Sequence, residues 1–379
     1  MKKVFLTMFL TIAISTMSNA QSDKEIKFGG RIMYDMATWE TSQNLNTDSA
    51  STIKSTGVEF RRVRFYNSGK LYGNTKYKLQ LDYSAGKVSF KDVWIELSGL
   101  PGNGGLRVGN FKEPLRLEAL TSSKYMTFME RALPIAFSPE RNTGALYHLN
   151  FNTIAIQAGV FREGDSYGND KEATSNTNVT ARITYTNTND NGLLHIGGAM
   201  SSRKNNEKTY GFSVRPENHL GTKLLKPSFE NVEETQIIGT EFAYVRGPLS
   251  LQGEYIMTNV NADSSMDLSG YYGQISYFIT GESRKFKNSY SGFNRVKPKN
   301  NFGKNGKGAL ELAARMSKMD LSKVNMGSLN NITMGLNWYL NPNTRVMLNY
   351  VMAELMEGDG EGDATTTENT MQCRVQIDF

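Results

Sequence analysis

The last thirteen residues constrain the fold more than any other part of the chain. From Thr367 to Phe379, one face carries Asn369, Met371, Cys373, Val375, Ile377 and Phe379. The other carries Glu368, Thr370, Gln372, Arg374, Gln376 and Asp378. A period of two belongs to a strand with one apolar and one polar face, and no helix stripe reproduces it. The pattern recurs upstream. Val346, Leu348, Tyr350 and Met352 alternate with Arg345, Met347 and Asn349, and Ile332 to Leu340 and Leu310 to Met316 behave alike. So do Tyr77–Tyr83, Val179–Tyr185, Leu249–Met257 and Tyr271–Ile279.

The start of the chain says where such strands work. Lys2 and Lys3 precede a short apolar run, Val4 to Ile14, and Ser18-Asn19-Ala20 supplies the small residues of a cleavage site. Residues 1–20 are therefore expected to be a signal peptide, leaving 21–379 as one domain outside the cytoplasm. No later segment has the ~18 apolar residues of a membrane helix. The mean hydropathy of −0.46 would suit a soluble protein. It equally suits a barrel in which only alternate side chains meet lipid. A terminal aromatic residue such as Phe379 is shared by outer-membrane barrels as a mark for the assembly machinery. The single Cys373 rules out a disulfide framework and is expected to act as a small apolar residue of the last strand.

The expectation is an all-β, transmembrane, antiparallel up-and-down barrel of about sixteen strands. They fall at 26–39, 57–68, 75–84, 88–98, 104–111, 143–150, 153–163, 177–187, 192–201, 235–246, 249–260, 270–280, 308–320, 328–340, 344–355 and 367–379. Long connections should follow odd strands on the extracellular side and tight turns even ones. Stretches 40–56, 112–142, 164–176, 202–234 and 356–366 obey, as do the turns at Asn187–Asn191, Gly247-Pro248 and Asn341–Asn343. One connection, 281–307, is long on the periplasmic side. Tyr210–Val214 looks strand-like, but the even number argues against a further wall strand. A soluble sandwich or propeller is the alternative, and its strands would average shorter.

Charge is unevenly spread. Residues 54–142 hold fifteen Lys and Arg against eight acids, a net of +7. Residues 281–307 hold eight against Glu282 alone. A cation facing mid-bilayer lipid costs about 2–4 kcal/mol, so strand charges must face the lumen. In 75–84, Lys76, Lys78, Gln80 and Asp82 point inward, and Arg182, Arg315, Arg345 and Arg374 do so by the same parity. Phe60-Arg61-Arg62-Val63-Arg64 defeats parity: Arg61 or Arg64 sits at a membrane edge, or the strand carries a bulge. Lumen cations would attract anions, or else merely pair across the barrel with Glu and Asp. Connection 112–142 is both basic (Lys112, Arg116, Lys124, Arg131, Arg141) and apolar (Leu115, Leu117, Leu120, Tyr125, Met126, Phe128, Met129, Leu133, Ile135, Phe137). Folding back onto the inner wall would bury those groups and narrow the pore. A cover for a subunit interface is the alternative.

Several motifs together are similar to the phosphate-selective porin O and P family. They are Val108 to Pro114, Leu120-Thr121-Ser122-Ser123, Thr127 to Arg131, Phe60-Arg61-Arg62, Arg215 to Leu220, Gly247-Pro248 with Gln252 to Tyr255, Thr280 to Arg284, and Gly335 to Pro342. The resemblance spans nearly all of 21–379. It implies a homotrimeric sixteen-stranded outer-membrane porin in which a basic ladder leads small, phosphate-like anions to a lysine-rich constriction. It also implies that the long periplasmic connection enters the lumen. Arg61 and Arg62 match the ladder and Asp92 an acid near the constriction. Lys76, Lys78, Lys112 and Lys124, with Arg116 and Arg131, are candidates for the anion pathway.

Other functions find little support. A barrel enzyme needs a nucleophile–base pair, yet only His148, His195 and His219 are present and no Gly-x-Ser-x-Gly occurs. His195 reads as a polar lining residue. Asp359–Asp363 has too few ligands for Ca²⁺, and no metal, cofactor or nucleic-acid partner is expected. The leading expectation is passive diffusion of phosphate or polyphosphate. General diffusion without strong selectivity, or a structural or adhesive barrel acting through its loops, are the rivals.

Overall fold

The computed structural model describes residues 24–44, 51–170, 177–189, 192–206, 208–303, 305–358 and 365–379. The expected signal peptide and Asp359–Asp363 lie outside them. The wall begins with β1 (Lys24–Asn44), β2 (Ser51–Leu71), β3 (Thr75–Asp82), β4 (Ser89–Leu100), β5 (Gly104–Lys112), β6 (Arg141–Phe151), β7 (Ile154–Arg162), β8 (Asn178–Asn189) and β9 (Gly192–Lys204). β10 (Thr209–Gly211) and β11 (Ser228–Glu230) pair only with each other. The wall resumes with β12 (Glu234–Arg246), β13 (Leu249–Asn261) and β14 (Ser265–Phe278). β15 (Phe286–Asn288) and β16 (Gly292–Phe293) form a second small sheet. β17 (Ala309–Asp320), β18 (Ser328–Asn341), β19 (Thr344–Met356) and β20 (Thr365–Asp378) complete a closed ring in which β1 pairs with β20, Arg31 opposite Asp378. All sixteen expected segments lie on wall strands, and Tyr210 belongs to the small sheet instead.

Closure is what the alternation requires, because backbone groups have no water to bond at membrane depth. In β20 the outward row Met371, Val375, Ile377 and Phe379 is exposed, and Glu368, Thr370, Gln372, Arg374, Gln376 and Asp378 are buried. Cys373 is free and on the outward row. One boundary needs correction: 40–56 is mostly strand, since the β1–β2 ladder runs up to Gln43 opposite Ser51. Apolar patterning fades there because the hairpin has left the lipid, but its ladder hydrogen bonds persist.

The arginine run of β2 is resolved by a bulge. Met33 pairs with Arg62 and Tyr34 with Phe60, so Arg61 is the extra residue. The local shift lets Arg61, Arg62 and Arg64 all reach inward carboxylates.

The lumen is partly filled. Connection 112–142 folds onto the inner wall with a helical turn at Leu117–Leu120 and a 3-10 turn at Leu133–Phe137. Leu115, Leu133 and Phe137 pack with inward residues of the β12–β19 wall, such as Ile237, Ile256, Leu268 and Met319. Val214, Leu225, Phe229 and Val232 join this core from connection 202–234. The 281–307 connection enters from the turn end and stacks Phe293 on Leu117. Gly292 permits that approach: its φ is +63°, and a side chain there would meet the Thr121 hydroxyl. The remaining space runs along the β1–β6 side.

Candidate functional site

That space is a cavity of about 800 Å³ reaching from the turn end to the folded-in loop. Thirteen Lys and Arg and four acids line it, a net of +9. The wall strands supply cations by parity, as β3 shows: Leu79 and Tyr83 face out while Lys76 and Lys78 face in.

Most of these cations are neutralised locally. Lys76 meets Glu96 at 3.2 Å, Lys78 meets Asp92 at 2.5 Å, and Arg64 meets Asp82 at 2.7 Å. Asp92 also accepts from Arg141 Nε at 2.8 Å, so it orients two cations at once. Lys124 meets Asp378 at 3.2 Å, and Arg295 from the turn-end connection pairs with the same carboxylate. Arg31, Lys70, Lys112 and Lys287 differ, because among the described residues no carboxylate lies within 4 Å of them. Arg31 donates to Ser123 Oγ at 2.6 Å, and its Nε is buried without a protein acceptor. Lys112 donates to the Ala119 and Thr121 carbonyls, which turns the loop inward.

A smaller cavity of about 180 Å³ lies on the other side of the loop, bounded by Arg61, Glu130 and residues 213–219. Arg131 and Glu140 line both spaces and mark the neck between them. Arg131 sits there by donating to the Glu118 carbonyl at 3.1 Å and the Thr121 carbonyl at 3.2 Å.

The proposed pathway residues therefore separate into groups. Arg62, Lys76, Lys78, Asp92, Lys112, Lys124 and Arg131 line the large cavity. Arg61 opens on the smaller one, held by Glu130 through two 2.9 Å bonds. Arg116 does not reach the passage: it is buried behind the loop, where its Nε meets Glu254 of β13 at 3.1 Å. Of the 281–307 cations, Lys287 lines the large cavity, whereas Lys285, Lys297, Lys299 and Lys307 do not. The connection thus lines the large cavity with residues from 287–294 and leaves those four lysines outside it.

Two features escaped the sequence reading. Arg31 was visible by parity, since it shares the inward face of β1 with Asp35. The inward fold of 202–234 also carried a signal, the same apolar excess (Phe212, Val214, Leu220, Leu225, Phe229) that marks 112–142. Its anchor is Glu217, held at φ +55° with its carboxylate on Arg315, on Ser317 at 2.6 Å and on Thr333 at 2.6 Å. His195 is buried and satisfied, with Nε2 2.8 Å from Glu241 and Nδ1 2.7 Å from Thr186.

The loop carboxylates set an acid limit. Burial alone would raise Glu130, but Arg61, Arg62 and Arg374 hold it well below the ordinary 4.5. Glu140 is likewise held low against burial by Arg141, Arg131 and Lys112, though it faces water that screens its share. Carboxyls lowered by folding stabilise the barrel fully above about pH 4.5, and that contribution is lost as pH falls through their folded values. Thermal unfolding is therefore expected to be flat from pH 7 to 5 and to drop below about pH 4, with Glu130→Gln removing part of the drop.

Comparison with known proteins places this arrangement. A family described as "Phosphate-selective porin O and P" matches residues 26–379. Porin O of Pseudomonas aeruginosa is 25% identical over 92% of this chain and 89% of its own length. Among solved structures, the anion-selective porin of Comamonas acidovorans superposes with a TM-score of 0.55 at 14% identity, covering 94% of this chain and all of that one. OmpT of Vibrio cholerae gives 0.58 at 10% identity, covering 94% and 98%.

Proposed function

Because the chain belongs to the phosphate-selective porin O and P family, a family of outer-membrane channels, we propose that its passage carries small anions by diffusion, phosphate and polyphosphate among them. The observation behind this is the cationic excess of the large cavity, thirteen against four, together with four cations that have no carboxylate partner among the described residues. Paired cations solvate a barrel, whereas unpaired ones leave a field for a passing anion. Arg31, Lys70, Lys112 and Lys287 are the residues on which anion recognition rests in this reading. Lys78, Arg141 and Lys124, tethered by acids, extend the positive wall between them. The Comamonas porin is described as anion-selective, which supports the same reading.

Reversal potentials in a KCl gradient test it directly: a chloride-selective value and block of the current by millimolar phosphate are expected. Cation selectivity would sink the proposal. Chloride selectivity with no phosphate block would favour general anion diffusion, a rival suggested by how many lumen cations already carry an internal partner.

The same reading includes export by cleavage after Ala20, insertion by the barrel-assembly machinery through β20, and assembly as a homotrimer.

A further inference from the structure

The turn-end connection does not stay inside the barrel. At Val296 it still packs inward, against Phe278, Ala309 and Tyr339. Six residues on, Phe302 stands on the outside, edge-on to Trp338 with ring centroids 5.0 Å apart. Trp338 belongs to the outward row of β18 with Ile332 and Met334, which face lipid. Two hydrogen bonds fix this external hook: Phe302 N to the Leu340 carbonyl at 2.7 Å, and Trp338 Nε1 to the Lys307 carbonyl at 2.8 Å. Trp338 lies three residues before the Asn341 turn, at the depth where barrels place their aromatic girdle.

The hook carries charge in the right place. Lys299 and Lys307 are exposed on either side of Phe302, and no described carboxylate lies within 4 Å of either. Glu282, the segment's acid, is buried and accepts from the Lys299 amide and the Thr280 hydroxyl, and no described ammonium group lies within 4 Å of it. Phe302 is 57% exposed on a surface that otherwise meets lipid. None of Lys299, Phe302 and Lys307 lines either cavity. An aromatic pair at the interface, flanked in sequence by two exposed lysines with no described carboxylate within 4 Å, matches one partner in particular: a phosphodiester lipid headgroup above its acyl chains.

We propose that Phe302, Trp338, Lys299 and Lys307 form a binding site for an anionic phospholipid of the periplasmic leaflet. The aromatic pair packs on the upper acyl carbons and the lysines hold the headgroup phosphate. Each lysine near an anionic lipid surface contributes roughly five-fold in affinity, so removing both should cost about 25-fold.

Native mass spectrometry of the full chain in detergent, with phosphatidylglycerol, phosphatidylcholine or inorganic phosphate added, tests this. The wild type is expected to retain phosphatidylglycerol over phosphatidylcholine, and inorganic phosphate should not displace it. K299Q/K307Q should lose that preference, while K299R/K307R should keep it. Single-channel conductance should be unchanged in both. Equal retention of the two lipids, displacement by free phosphate, or full retention by K299Q/K307Q would each overturn the site.

Discussion

Arg31→Gln is expected to weaken phosphate block of the single-channel current roughly ten- to hundredfold without unfolding the barrel. Arg31 is a buried lining cation whose bonding is incomplete. One guanidinium nitrogen donates to Ser123, Nε is buried without a protein acceptor, and no carboxylate stands within 4 Å. A hydrogen bond to a charged group contributes about 1.5–3 kcal/mol, which sets the factor. Lys76→Gln makes the contrast. Lys76 already pairs with Glu96, which Arg107 holds as well at 2.6 Å, so its loss should move phosphate block little. Phosphate titration of both variants decides the matter, and equal effects would remove Arg31 from the pathway.

Arg374→Met is expected to destabilise the barrel by about 3–5 kcal/mol, the usual cost of leaving a buried charge without its partner. Arg374 is fully buried. It donates to both oxygens of Asp35 at 2.6 Å, to Glu130 at 2.9 Å and to the Met129 carbonyl at 2.6 Å. The substitution strands Asp35 on the wall and frees the loop at Met129. Urea unfolding should shift to lower concentration, and single-channel recordings should show a larger, noisier step. An unchanged midpoint would mean that neighbouring arginines compensate for the loss.

The wall was legible in the sequence because lipid on one side and water on the other impose a strict period of two. It was least legible where the lumen is filled. In β12, Ile237 faces the loop core and Ile238 faces lipid, so both registers read apolar. The run Arg61-Arg62-Val63-Arg64 failed for the opposite reason: a bulge breaks parity, and only its pairing with Met33 and Tyr34 shows where. The inward fold of 112–142 could be read from its apolar side chains, but the residues that hold it could not. Glu254, Arg315, Arg345 and Arg374 lie more than a hundred positions away, and nothing local marks them as partners. Arg116 shows the cost of judging by residue type, since a basic residue in a basic loop became a buried anchor.

The seat of Glu130 is built from both ends of the chain. Arg61 and Arg62 come from the second strand and Arg374 from the last, and they become neighbours only when the first and last strands pair. Before the ring closes, Arg61 and Arg62 can hold that carboxylate from one side only, and Arg374 completes its seat when the last strand pairs with the first. The constriction and the seam of the barrel therefore share one side chain, so the last strand to pair also completes the hold on the loop.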